Sequence, residues 1–465
     1  MTLIPAIVIF DVGKTNKKVF VFSESYKILY RDSIKLDETT DPDGDACEDL
    51  DSLKNWVLKS LESIINEKKY DIKAINFSTY GASLVYIDNH GEPLTPLYNY
   101  LKPYPEHLKK QFYNTYGGEN RFSSITASPV SGSLNCGMQL YRIKCEDPEL
   151  FSLIKYALHL PQYLSFLICK KAFTEITSIG CHTNLWDFEK NYYHEWVAKE
   201  GILSKLPPLI SSDSVVDCTY NNVEYKVGVG LHDTSAALIP YLINCHDSFI
   251  LISTGTWCIS LNPFNHSALT AEELENDCLC YIQYKGLPVK ASRLFAGYEH
   301  DIQAKRITSH FKVSTEAFKV IDFNRRVYKK LITRNEDQHS SEFGKMKFED
   351  CDLSVFTNEV EAYHQFLIEL VTDQFASTQL IIKDSEVKRI FVDGGFSSNS
   401  IYMNLLAMAF PKMEVFAASM AQATAVGTAL AVHKHWNTKP LQNDIIELQR
   451  FSNNRLDLEK RDFYE

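Results

Sequence analysis

Short apolar runs broken by polar, glycine-bearing turns recur along this chain. The first pair is Ile7 to Phe10 and Val19 to Phe22, flanking Asp11-Val-Gly-Lys-Thr-Asn-Lys-Lys18. Runs this short and this rich in Val, Ile and Phe predict buried strands, with the polar centre as the turn between them. Ile72 to Ile87 reads as strand, turn and strand around Ser78-Thr79-Tyr80-Gly81. The pattern restarts at Phe249 to Ile252, then Ser253-Thr-Gly-Thr-Trp257, then Ile259 to Leu261. A further strand, Arg389 to Val392, runs into Asp393-Gly-Gly-Phe-Ser-Ser-Asn399 and the helix Ile401 to Phe410.

Helical periodicity fills much of the rest. A helix from about Leu50 to Lys68 lines up Leu53, Val57, Leu61, Ile64 and Ile65 on one face. Leu140 to Lys171 is helical, with interruptions at Pro148 and Pro161. The short strand Val227 to Leu231 leads through His232-Asp233-Thr234 into an apolar helix, Ser235 to Ile243. Asn265 to Asp277 is helix-like, Tyr281 to Leu287 hairpin-like, and Ala362 to Leu380 a long amphipathic helix. Ala421 to Val432 is a small-residue helix suited to close packing. Asp37 to Asp51 hints at a calcium loop, but Ala46 and Ser52 stand where such a loop needs Gly and Glu, so a solvated loop is expected. Arg325 to Asp350 is densely charged and is expected to be a mobile surface insertion.

At 465 residues the chain exceeds a single core. The repeated strand–turn–strand arrangement places the division near residues 243 to 248, giving domains 1–245 and 246–465. The net charge, 48 − 59 = −11, disfavours nucleic acid or an anionic membrane as the main partner. Eleven scattered cysteines without a C-x-x-C pair read as reduced, buried residues of a cytoplasmic protein. No segment reaches the ~18 uninterrupted apolar residues of a membrane span, and the N-terminus lacks the marks of a signal peptide.

The polar turns are the candidate chemistry. Gly13 lets backbone approach a bound group, and Thr15, Asn16, Lys17 and Lys18 offer donors beside the Asp11 carboxylate. That combination suits a magnesium-bound phosphate, and equally an ordinary hairpin with a basic turn. It is no Walker A loop, because Val8 stands where the earlier glycine is required. Asp233 sits at a strand-to-helix junction, where α/β folds place working residues and where an acid also caps helices. Two glycines after Asp393 would let a nucleotide reach backbone amides at a helix start.

Asp11-x-Gly-x-Thr-Asn-x-Lys18, Ser253-x-Gly-Thr-Trp257, His232-Asp233-Thr234 and Gly394-Gly395-x-x-x-Asn399, taken together, resemble the FGGY carbohydrate kinases. These belong to the superfamily that includes actin, hexokinase and the heat-shock chaperones, and the resemblance spans about residues 6 to 435. It implies an α/β fold of two ribonuclease H-like domains, with ATP and a sugar meeting in the cleft between them. On that model Asp11 helps hold Mg2+, and Gly13, Thr15, Asn16 and Lys17 form a first phosphate loop. Thr254, Gly255 and Thr256 form a second; Gly394, Gly395, Phe396 and Asn399 contact the adenosine. Asp233 is the general base, and Tyr80, Gly81, Ser83, His232, Trp257 and Arg293 face the sugar.

Within the family, the HDT triplet and the Thr174-Glu175-x-Thr177 stretch are most similar to rhamnulokinases, with L-fuculokinases next. The chain departs from them at Tyr80-Gly81-Ala82-Ser83, at Gly180-Cys181 and at Ser292 to Gly297. The implied activity is ATP-dependent phosphorylation of a ketose or 6-deoxyketose. Xylulose, ribulose or polyol specificity is the alternative, as is a non-catalytic sugar-sensing relative. The implied partners are ATP and a small sugar, and homodimer formation is left open.

Overall fold

The computed structural model describes residues 3–338, 347–383, 385–419, 422–441 and 445–452. Two seven-stranded sheets dominate it. In the first, Ile4–Val12, Lys17–Ser23 and Ile28–Ile34 form an antiparallel meander. Ile4–Val12 also pairs in parallel with Tyr70–Thr79, which is parallel in turn to Val223–Gly228 and Leu231–His232. The second sheet repeats this plan. Phe249–Thr254 is antiparallel to Cys258–Asn262, which neighbours Pro288–Leu294. On its other side Phe249–Thr254 is parallel to Arg389–Gly394, and that strand to Glu414–Ser419. The fold is α/β, and the two expected strand–turn–strand starts occupy equivalent places.

Each half lends a helix to the other. Asp233–Asn244, continuing from the first sheet, buries Leu238 and Tyr241 among Phe249, Leu251 and Phe391 of the second. Ala423–Ala431, continuing from the second sheet, buries Ala425, Val426, Ala429 and Leu430 against Ile7, Ile9 and Phe20 of the first. The two helices cross where Gly427 meets the Ala236 carbonyl, and a Cβ at Gly427 would collide with that oxygen. Small residues in this stretch are therefore required by backbone contact. The Asn76 amide reinforces the crossing by donating to the Thr428 carbonyl, 2.9 Å.

The helix Leu50–Asn66 forms as expected, capped by Asp49 and burying Leu53, Val57, Leu61 and Ile64. Three expectations need correction. A strand, Tyr156–His159, separates the helices of the 140–171 stretch, pairing with Leu84–Ile87 to bury a run that is apolar on all sides. Asn265 to Asp277 holds only a short helix, Ala271–Glu275. The charged stretch from Arg325 is no loose insertion at its start: Arg325–Gln338 is a helix, and Leu331 is buried in the second core. His339, Ser340, Ser341 and Ala421 lie outside the described residues.

The acidic loop has a built-in cation. Among the described residues, Asp41, Asp43 and Asp45 form a cluster of acids close enough to share an ion. The Lys102 ammonium pairs with Asp41 and lies 2.7 Å from Asp43 and 3.1 Å from Asp45. No described helix is long and apolar enough to cross a membrane.

Candidate active site

Strand register brings the first acid and the second to one edge. Asp11 is level with Ser78 on the neighbouring parallel strand, and Ser78 is level with Leu231. Asp11, Thr79 and the His232-Asp233 junction thus share the carboxyl ends of three adjacent strands, where open α/β sheets gather ligands. Asp233 is the first residue of its helix, and its side chain keeps 30% exposure, so a small molecule can reach it. Protein packed around it pushes its carboxyl up to about 6, against hydrogen bonds from the Thr234 amide and hydroxyl. Asp11 is likewise pushed up to about 6, first by burial, with Lys18 opposing and the Asp233 charge adding. Two raised acids at one sheet edge, the charge of one adding to the shift of the other, are arranged to meet a cation or a proton.

Among the described residues, Asp11 is compensated only at long range, by the Lys18 ammonium 3.9 Å away and by Ser78 donating to Oδ1 at 3.4 Å. A buried carboxylate so thinly compensated fits the oxygen-ligand chemistry of Mg2+, which takes one or two carboxylates with substrate phosphates. Beside it, the 13–16 turn closes with Gly13 N–H donating to the Asn16 carbonyl, 3.0 Å, and exposes Thr15 and Asn16.

Lys17 is a correction. Its ammonium is buried 2.6 Å from Glu48 and donates to the Lys14 carbonyl, so it is not a free phosphate donor. Alternation along the strand turns Lys17 into the core and leaves Lys18 facing Asp11. The Tyr80 hydroxyl donates to the same Glu48 at 2.5 Å, which fixes Tyr80 inside the protein. Ser83 is buried beside it. Gly81 lies against Cys181 and His232, where a Cβ would come 2.6 Å from the sulfur.

In the second half, Thr254 is level with Gly394 on the adjacent parallel strand. The Thr254 hydroxyl donates to the Asp393 carbonyl, 2.6 Å, and accepts from the Phe396 amide, 3.0 Å. It therefore ties two turns together and is not free for a phosphate. Gly255, Thr256 and Trp257 are exposed at the tip of their turn, and Gly394 and Gly395 are exposed at theirs. The ring of Phe396 packs inward on Tyr402, so only its backbone borders the site. Asn399 caps the following helix, accepting from the Tyr402 amide and donating to the Tyr363 hydroxyl. Thr254 and Asn399 act alike: the short turn after a buried strand satisfies its own helix start first.

Arg293 belongs to the second half and acts on the first through its charge. It forms a two-point pair with Asp277, at 3.0 and 2.5 Å, and its guanidinium lies 5.6 Å from the Trp257 ring centre. Its charge also helps hold the His182 imidazole down at about 3, second to burial. His232 is down at about 3 through burial alone, so it is neutral. Its Nε2 lies 3.1 Å from the Cys181 sulfur and 3.3 Å from Asp233 Oδ1, with Tyr281 stacked on the ring. With Nδ1 3.3 Å from the Ser235 hydroxyl, both ring nitrogens of His232 have protein neighbours. Glu48 and Asp277, and the contact of Cys181 with His232, were not foreseen, because each is defined by a partner outside its own turn.

Family comparison decides the class. Residues 6–240 match the N-terminal domain of the FGGY family of carbohydrate kinases, and residues 246–440 match the carbohydrate kinase FGGY C-terminal domain. The chain belongs to the FGGY family. This FGGY protein is 22% identical to the rhamnulokinase of Oceanobacillus iheyensis over 265 residues, 54% of each chain. It is 26% identical to that of Klebsiella pneumoniae over 251 residues, 50% of this chain and 49% of the other. The chain thus spans about half the length of the curated relatives it matches. Solved structures share its fold along nearly all its length. A carbohydrate kinase from Novosphingobium aromaticivorans superposes with a TM-score of 0.78 at 19% identity, covering 99% and 98% of the two chains. The xylulose kinase from Lactobacillus acidophilus gives 0.78 at 15%, covering 98% and 96%.

Proposed function

We propose that this FGGY protein transfers the terminal phosphoryl group of ATP to a hydroxyl of a small sugar, with Asp233 as general base. The observation that carries the reading is the pairing of Asp233 with Asp11 at one sheet edge, each carboxyl raised to about 6. A sugar hydroxyl is a poor nucleophile, and a reachable carboxylate can take its proton as the oxygen attacks phosphorus. Its oxygen Oδ1 is held by Thr234, and Oδ2 receives no hydrogen bond from the described residues, which suits it for that proton.

The remaining roles follow from placement. Asp11 would hold Mg2+, which supplies charge neutralisation at the phosphates. The exposed tips of the 13–16 and 255–257 turns would border the phosphates, with Lys18 in the place first given to Lys17. Gly394 and Gly395 would pass backbone to the nucleotide. Tyr80, Gly81, Ser83 and His232 would shape the sugar side, with Arg293 and Trp257 closing it from the second half. The domains would divide at residues 245 and 246, as the two sheets and the two family matches suggest. A cytoplasmic location agrees with the ATP requirement and with eleven free cysteines.

For the sugar, the relatives named rhamnulokinase favour a 6-deoxyketose such as L-rhamnulose, with L-fuculose next. Xylulose is the second reading, favoured by the fold neighbour of that name. A coupled assay of ADP release over ketoses, 6-deoxyketoses, pentuloses and polyols tests both. ADP release from no sugar would overturn the proposal.

A further inference from the structure

Ser235, two residues after the proposed base, has a single hydroxyl proton to give. Its hydroxyl lies 3.0 Å from the Ile282 carbonyl, which can only accept. The Ser235 oxygen must then accept from His232 Nδ1, 3.3 Å away, so the proton of this neutral imidazole resides on Nδ1. Nε2 is left as a lone pair, facing Asp233 Oδ1 at 3.3 Å and the Cys181 thiol at 3.1 Å. His182 is oriented alike. Its Nδ1 lies 3.1 Å from the Leu134 carbonyl, so its Nε2 also turns a lone pair on Cys181, 3.3 Å away. The thiol proton faces two acceptors, and neither imidazole has an N–H to offer Asp233.

Ile282 belongs to the second sheet, whereas Ser235 and His232 continue from the first. The carbonyl that orders the serine is thus carried by the opposite half of the molecule. Gly180 allows that approach, for a Cβ there would run into the Ile282 side chain.

We propose that Ser235 is a positioning residue that fixes the tautomer of His232 and, through the Ile282 carbonyl, ties the basicity of Asp233 to the contact between the two halves. A lone pair turned on a carboxylate disfavours its charged form and makes it a stronger base, whereas an N–H there would stabilise the anion and weaken it. The other groups facing Asp233 are Asp11 from the first strand, Tyr100, Cys181, and Tyr281 from the second sheet. None of these depends on Ser235 for its proton. The inference rests on Asp233 being the base, so its test separates the two.

The test uses the full chain with 15N-labelled histidine, His232 being assigned by the signal lost in His232→Gln. The wild type is expected to show a protonated Nδ1 and a bare Nε2 at pH 7.5. Ser235→Ala should move the proton wholly or partly to Nε2, and lower the acid-limb inflection of kcat/KM by about 0.5–1 pH unit. Ser235→Thr, which keeps the hydroxyl, should restore both. A wild-type His232 protonated on Nε2 would overturn the proposal even if Ser235→Ala did not fold. So would a Ser235→Ala protein with unchanged spectrum and profile. Full activity in Asp233→Asn would instead overturn the reading of Asp233 itself.

Discussion

The Lys17 ammonium lies 2.6 Å from the Glu48 carboxylate, with 2% and 4% of the two side chains exposed. Glu48 also accepts from Tyr80, so one buried acid joins the first hairpin to the turn at Tyr80-Gly81. Removing one partner of such a pair leaves an uncompensated charge. Lys17→Met is expected to cost about 3–5 kcal/mol in urea unfolding, and the double variant Lys17→Met/Glu48→Leu clearly less. A single variant within about 1 kcal/mol of wild type would show that the pair is not a structural tie.

The crossing of the two exchanged helices makes a second prediction. Gly427→Val would drive a side chain into the Ala236 carbonyl. Overpacking of this kind costs about 1–3 kcal/mol. Because the strain falls between the halves, small-angle scattering should show a more open molecule. Unchanged scattering and unchanged stability would contradict the contact.

Stability and activity should part at Asp233. A carboxyl whose folded value is raised to about 6 holds its proton more tightly than the unfolded chain does. The stability this lends is present below about pH 4 and is lost as pH rises through about 6. Asp233→Asn removes the ionised group, so its Tm should exceed that of wild type at pH 8. The gain should fade towards pH 4. Equal Tm values at pH 8 would mean that the carboxylate is not held against its own ionisation.

The same shift governs catalysis. The base works only when ionised, so kcat/KM should rise with pH through an inflection near 6 and then level off. Asp11 titrates alongside, and the inflection therefore belongs to the pair. A rate independent of pH from 5 to 8 would exclude both acids as the titrating groups.

The sheet starts were legible because their apolar runs are short and β-branched, and because the second half repeats the first. Asp233 was legible for a local reason, an acid where a strand becomes a helix. What escaped was set by distant partners. Nothing near Lys17 announces Glu48, and nothing near His232 announces Cys181 or the Ile282 carbonyl. Residues such as Thr254 and Asn399 suit two tasks, and only the fold shows their polar atoms bonded to a neighbouring turn and a neighbouring helix. The strand Tyr156–His159 was hidden because periodicity fails when every face is buried.

One measurement bears most directly on the account: sugar-dependent ADP release by the wild type and by Asp233→Asn, with ATP binding followed in both. Release should require a sugar, kcat should fall by about 10²–10⁴-fold in the variant, and the affinity for ATP should be unchanged. Comparable turnover by the two proteins would contradict the account.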